Sequence, residues 1–148
     1  MVIAGGQISG SINVPGHVAD AVTGAGVYSY GNDTPLGSNV QDYIQQQMAL
    51  RNQVVTYIPT SPLQDIAMLN FYKQYPNMND VSKVNNCAVR SSEALMAGKV
   101  PVEGSMFPGG LSRQAAMVPG AQQFFIPQGG PIQPGMLSLH PSFEKPTP

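Results

Sequence analysis

Alternating small, apolar and polar residues predict a β-hairpin near the start of the chain. Residues 14–22 and 27–30 form two short strand-like runs, and a Gly-containing loop separates them. Because successive side chains of a strand point to opposite faces, His17 is expected on one face and Asp20 on the other. Pairing the two runs places Ser29 opposite His17. The hairpin is therefore expected to carry His17 near one end, with Ser29 as its neighbour.

Helical spacing of apolar residues follows in the middle of the chain. Residues 38–52 are predicted to form a helix that begins with a capping box at Ser38, and the β-branched run 54–58 predicts a strand. The next helix is marked by Ser61 as its cap and Pro62 in the first helical position. Its predicted apolar face consists of Leu63, Ile66, Ala67, Asn70 and Phe71, with Leu69 and Tyr72 beside it.

The only cysteine of the chain lies at the predicted start of a third helix. Asn85 or Asn86 can cap this helix, and Gly98 ends it. Free backbone N–H groups at a helix start stabilise a thiolate, so we expect a lowered pKa for Cys87 and donors for an oxyanion. The alternative is that Cys87 is an inert residue of the core, as most free cysteines are.

Composition divides the chain into three regions. Residues 1–13 are rich in Gly and small residues and are expected to be a flexible lead-in. Residues 14–134 are expected to form one domain, followed by a Pro-rich tail over residues 135–148. Nine of the fourteen prolines lie after residue 100, so only short elements are expected there: helical turns over 111–117 and a strand over 122–126.

Low charge argues against several classes of function. Only 10% of the residues are charged, the formal net charge is -1 and no run of Lys and Arg occurs, so a nucleic-acid partner is not expected. The apolar runs are too short to span a bilayer, and no signal peptide is evident, so export would use another route or a larger parent chain. One cysteine and two histidines offer few metal ligands, and we expect chemistry without a metal or cofactor.

A cysteine hydrolase also needs an imidazole and a group that orients it. His17 is preferred over His140, because a strand end holds a side chain more firmly than a Pro-flanked tail does. The orienting group remains open among Ser29 and the loop residues Asn32 and Asp33. Each of these three is also typical of a turn or a solvated surface.

Five short segments, in their order along the chain, are similar to a known family: PGHV at 15–18, VYSYG at 27–31, PLQD at 62–65, NC at 86–87 and GAQQFFIPQGG at 120–130. Their order resembles the circularly permuted papain-like fold of NlpC/P60-related enzymes, in which the histidine strand precedes the cysteine helix. The residues of the first, third and fifth segments are similar to those of toxin modules at the C-terminal ends of RHS/YD-repeat polymorphic toxins, including type VI secretion effectors. The resemblance covers roughly residues 15–134.

The resemblance implies an α+β fold, with a small antiparallel sheet packed against three helices and a Pro/Gly-rich C-terminal extension. It implies Cys87 as the nucleophile and His17 as the general base. Ser29 occupies the place where relatives often have His, Asn or Gln to orient the imidazole, so a catalytic dyad or an orienting group from elsewhere stays open. Family members split amide bonds in proteins or peptidoglycan, deamidate glutamine or transfer acyl groups, so the resemblance implies a thioester mechanism in a protease, an amidase or a deamidase.

The biological setting that the resemblance implies is a secreted antibacterial effector. It would act as a cysteine protease or amidase on protein or peptidoglycan, inside the cytoplasm or periplasm of a target bacterium. Its partners would be the parent RHS-repeat chain and a cognate immunity protein. Two rivals remain: an amidase confined to peptidoglycan in the periplasm, and a non-enzymatic binding module whose Gly/Pro-rich tail docks on a larger repeat protein.

Overall fold

A computed structural model describes residues 1–6, 16–82, 84–132 and 136. Within these residues the chain folds into an α+β architecture with a five-stranded antiparallel sheet in the order β3-β2-β1-β4-β5, and four helices. The coarse class is therefore as predicted, although the helices number four rather than three. The elements are β1 (Val2–Gly5), β2 (His17–Val22), β3 (Gly26–Ser29), α1 (Val40–Met48), β4 (Gln53–Tyr57), α2 (Pro62–Tyr72), α3 (Cys87–Ala97), α4 (Pro108–Ala116) and β5 (Gln122–Ile126).

The start of the chain departs most from the sequence-based expectation. Instead of a flexible lead-in, Val2–Gly5 form β1, the central strand of the sheet, which pairs with β2 on one side and β4 on the other. Val2 and Ile3 are both buried, and their side chains enter different cores. The prediction is wrong for this strand because a short apolar run shows its role only when both neighbouring strands are present. Residues 7–13 lie outside the described part of the chain.

Two hydrophobic cores lie on opposite faces of the sheet. One contains side chains from α2, α3 and α4, together with Val18 of β2. The other contains side chains from α1 and β5, together with Ala19 of β2. The alternation along β2 therefore places His17 on the face of the α1 core. Within the predicted tail, Met136 is buried in that same core, and the other tail residues lie outside the described part of the chain.

Helix α1 is capped one residue later than predicted. Its cap is Asn39, whose side chain accepts a hydrogen bond from the backbone N–H of Asp42 at 3.0 Å. Ser38 cannot take this position because it forms an isolated bridge with Val27 of β3. The helix also ends at Met48 rather than near residue 52.

Helix α2 confirms the predicted capping box but not the predicted face. Ser61 caps the first turn, and the Gln64 side chain bonds back to the Ser61 backbone. The buried residues are Met68 and Tyr72, whereas Leu63 is 78% exposed. The error arises because α2 is apolar on several sides, so helical periodicity alone does not select the buried one.

The last two elements follow the sequence closely. β5 covers the predicted residues 122–126 and pairs with β4 at the edge of the sheet. Helix α4 begins at Pro108, three residues before the predicted helical turns. No helix in the described residues is long and apolar enough to cross a membrane.

Candidate active site

Cys87 is the first residue of α3, as the sequence predicts. Of the two candidate caps, Asn86 takes the role: its side chain accepts the backbone N–H of Val89 at 3.1 Å. The N–H groups of Cys87 and Ala88 precede the first intrahelical hydrogen bond and so have no carbonyl partner within the helix. Two backbone donors are thus free of the helix beside a partly exposed thiol.

The sulfur of Cys87 also contacts the strand that carries His17. The backbone N–H groups of Val18, the residue after His17, and of Ala88 and Cys87 lie near the Cys87 sulfur and favour its thiolate form. The fold therefore brings the start of α3 against the start of β2, although 70 positions separate Cys87 from His17 along the chain.

The electrostatics of Cys87 differ from the sequence-based expectation. Burial raises the pKa of the thiol above its usual value, and this effect exceeds the lowering caused by the three N–H groups and by the charge of Arg51. The predicted lowering of the pKa is therefore wrong, because the loss of hydration destabilises the thiolate more than the N–H groups of the helix start stabilise it. At neutral pH the free protein carries Cys87 as a neutral thiol.

His17 and Ser29 are in direct contact. His17 Nε2 lies 2.7 Å from Ser29 Oγ, and His17 is 8% exposed. In the strand register Ser29 pairs with Ala19 rather than with His17, so the predicted pairing is wrong by two residues of β2. The contact still forms because residues two apart on β2 share one face.

A hydrogen-bond chain behind His17 determines which ring nitrogen carries the proton. Ser29 Oγ donates to Asn32 Oδ1 at 2.8 Å. Asn32 Oδ1 also accepts the backbone N–H of Thr34 at 3.3 Å. Since a hydroxyl has one proton, Ser29 can only accept from His17 Nε2. The neutral imidazole then carries its proton on Nε2 and leaves a lone pair on Nδ1. Asp33, the other loop candidate, is exposed.

Burial and the charge of Arg51 both act on His17. Burial is the larger cause, and together they lower the pKa of His17 from 6.5 to about 4. The imidazole is therefore neutral over the physiological range and available as a proton acceptor.

Tyr43 and Arg51 complete the site, and neither was singled out by sequence. The Tyr43 hydroxyl lies 3.4 Å from Ser29 Oγ, and burial raises the pKa of Tyr43 to about 12. Arg51 Nη1 donates to the carbonyl of Gly6 at 3.2 Å. Tyr43 was visible only as a member of the apolar face of α1. Arg51 gives no local signal, because its position depends on a strand 45 residues away.

Space for a ligand adjoins this polar chain. A cavity of about 690 Å³ lies between α1 and the loop after β3, and its wall includes Asn32 and Tyr43. Polar side chains such as Asp42 and Gln46 line much of the rest. Among the described residues, no three His, Cys, Asp or Glu side chains come together in a way that could hold a metal ion.

Asp20 faces away from the site, as the alternation of β2 predicts. Tyr72 donates its hydroxyl proton to Asp20 Oδ2 at 2.5 Å, on the other face of the sheet. Burial raises the pKa of Asp20 to about 7, although the hydrogen bond from Tyr72, the amino group of Met1 and the nearby hydroxyl of Ser91 oppose the change. The same strand thus buries a histidine and an aspartic acid, each shifted toward its neutral form.

These two groups should give opposite pH dependences of stability. Between about pH 4 and 6.5 the unfolded chain binds a proton at His17 that the folded chain does not, so His17 makes stability rise with pH. Between 3.8 and about 7 the folded chain holds a proton on Asp20 that the unfolded chain releases, so Asp20 makes stability fall with pH. Each slope is at most about 1.4 kcal/mol per pH unit.

Urea unfolding between pH 4.5 and 6.5 tests this opposition. Relative to the parent, we expect the stability of Asp20→Asn to rise more steeply with pH, and that of His17→Gln to fall with pH. Equal slopes in the parent and both variants would contradict the assignment of the buried neutral forms.

Comparisons with protein family models, with curated proteins and with solved structures gave no match. The chemistry of this site is therefore inferred from its own geometry.

Proposed function

We propose that this chain is a cysteine hydrolase, a protease or amidase that works through a thioester, with Cys87 as nucleophile and His17 as general base. The observation that carries the proposal is the packing of α3 against β2, which places the N–H of Val18, the residue after His17, close enough to the Cys87 sulfur to stabilise its thiolate. Ser29 orients the imidazole by accepting from Nε2, and Asn32 in turn holds Ser29.

The reaction follows from the protonation states. Because both groups are neutral in the free protein, His17 Nδ1 takes the thiol proton as the sulfur attacks the substrate carbonyl. The new C–S bond moves a C=O electron pair onto oxygen, and the N–H groups of Cys87 and Ala88 stabilise that oxyanion. His17 then protonates the leaving amine as the C–N bond breaks. Water, deprotonated by His17, hydrolyses the thioester and restores the thiol.

The proposal extends to a permuted papain-like fold and an antibacterial role. The α+β architecture, and the order of a histidine strand before a cysteine helix, support the fold. The resemblance to toxin modules of RHS-repeat chains supports delivery into a target bacterium, where the substrate is protein or peptidoglycan. A cognate immunity protein would then protect the producing cell by covering Cys87 and His17.

One observation favours a second candidate, a binding module without catalysis. The raised pKa of Cys87 is what a structural cysteine at a buried helix start would show. In that case the chain of His17, Ser29 and Asn32 satisfies buried polar groups and does no proton transfer.

Expression in a bacterial host, with and without an export signal, tests the proposed function. We expect growth arrest in at least one compartment, and its location identifies the substrate: arrest only after export indicates peptidoglycan, whereas arrest without export indicates a cytosolic protein. Co-expression with the product of the neighbouring gene should restore growth if that product is the immunity protein. Normal growth in both compartments at matched protein levels would favour the binding module.

A further inference from the structure

Arg51 occupies a space that a glycine leaves open beside His17. A Cβ atom added to Gly5 would lie 2.3 Å from Cδ of Arg51, so the arginine stem crosses the sheet where Gly5 has no side chain. Gly5 of β1 pairs with His17 on one side and with Gln53 on the other. Paired residues of antiparallel strands direct their side chains to the same face. The stem of Arg51 therefore lies on the His17 face of the sheet.

The charge of Arg51 is buried and lacks a carboxylate partner among the described residues. Arg51 is 5% exposed, its Nη1 bonds to the Gly6 carbonyl, and its Nε has no partner in the described part of the chain. The two ion pairs that occur there both belong to Arg90. A buried cation without a counter-charge is unfavourable by itself, and its field acts strongly on the groups around it.

The titratable groups that interact with this charge belong to the candidate site. Arg51 lowers the pKa of both His17 and Cys87, and Tyr43 of α1 is the other titratable group that interacts with it. Tyr43 is uncharged near neutral pH, because burial raises its pKa to about 12. Asp20, the remaining titratable side chain of β2, lies on the opposite face against Tyr72.

We propose that Arg51 is a positioning residue of the proposed hydrolase: held over Gly5 on the His17 face of the sheet, its fixed charge favours the neutral imidazole of His17 and the negative charge that develops on the Cys87 sulfur. This inference rests on the proposed function for its catalytic meaning. Gly5 is needed for this position of Arg51, because any side chain at Gly5 would displace the arginine.

Direct titration of the two groups in Arg51→Gln tests the proposal. His17 is followed by NMR of its ring protons, and Cys87 by its rate of alkylation with iodoacetamide against pH. Losing the charge should raise both pKa values and slow alkylation at neutral pH by about threefold or more. Loosening of the structure would also raise the pKa of His17, but it would lower that of Cys87, because water would then reach the thiolate.

Matched variants complete the test. Arg51→Lys keeps the charge and should keep both titrations close to those of the parent. Gly5→Ala keeps the arginine but displaces its stem, so both pKa values should rise, and it supplies the test if Arg51→Gln does not fold. A pKa of Cys87 that falls or stays constant in a folded Arg51→Gln protein would overturn the proposal. Both readouts need no substrate, so they are separate from the growth test of the proposed function.

Discussion

Replacing Cys87 by Ala is expected to abolish the growth arrest caused by the parent chain. The thiol forms the bond to substrate carbon, and no other cysteine in the chain can replace it. Loss of a nucleophile that acts as a unit with its base costs on the order of 10⁴ to 10⁶ in rate. The measurement is growth in the compartment where the parent is toxic, at equal protein levels.

The fold should survive this substitution. Cys87 is partly exposed, and shortening a side chain of this size outside the fully packed core is expected to cost only about 1 kcal/mol or less. Circular dichroism and thermal unfolding would check this. Met117→Ala, which alters a side chain that is 83% exposed, serves as a control that should remain toxic. Continued arrest by a folded Cys87→Ala protein would refute the thioester mechanism.

The parts of the fold that sequence predicted are those with local signals. The hairpin of β2 and β3, the capping box of Ser61 and the helix start at Cys87 each depend on a few adjacent residues. The strand 122–126 is bounded by Pro127 and is confirmed for the same reason. In each case the residues that determine the element are within one turn or one strand of it.

The parts that sequence missed depend on contacts between distant segments. β1 is apolar over only three residues, and its central position follows from pairing with β2 and β4. The pKa of Cys87 was given the wrong direction because the sequence contains the helix start but not the burial around it. Arg51 was missed because the space that its side chain fills is created by Gly5 of β1, which is distant in sequence. Local signals could thus be identified from the sequence, whereas the effects of desolvation and of packing across the sheet could not.

Burial of Cys87 and His17 changes the mechanism that the sequence led us to expect. A papain-like site is expected from sequence to hold a ready thiolate, but burial here keeps the proton on sulfur and leaves His17 neutral. In the proposed hydrolase, proton transfer therefore occurs during attack, as it does for a serine nucleophile. The rate consequently depends on the imidazole at least as strongly as on the helix start.

Replacing His17 by Gln is therefore expected to lower the hydrolytic rate by about 10² to 10⁴, the usual contribution of a general base. Glutamine can still donate an N–H to Ser29, so the hydrogen bond behind the ring can persist without the lone pair of Nδ1. The assay is release of amine from whichever substrate the growth test identifies, measured with saturating substrate. His140→Gln is the matched control, because it removes the other histidine of the chain.

The pattern across the two histidine variants separates the candidate functions. A large loss in His17→Gln with full activity in His140→Gln assigns the base to β2, and the reverse pattern would assign it to the tail. A general base should also show its pKa in the acid limb of the kcat/KM profile, measured at low substrate concentration, near 4 for His17 rather than near 6.5. If both variants retain activity, the proton is taken by another group, and the chain of His17, Ser29 and Asn32 is structural.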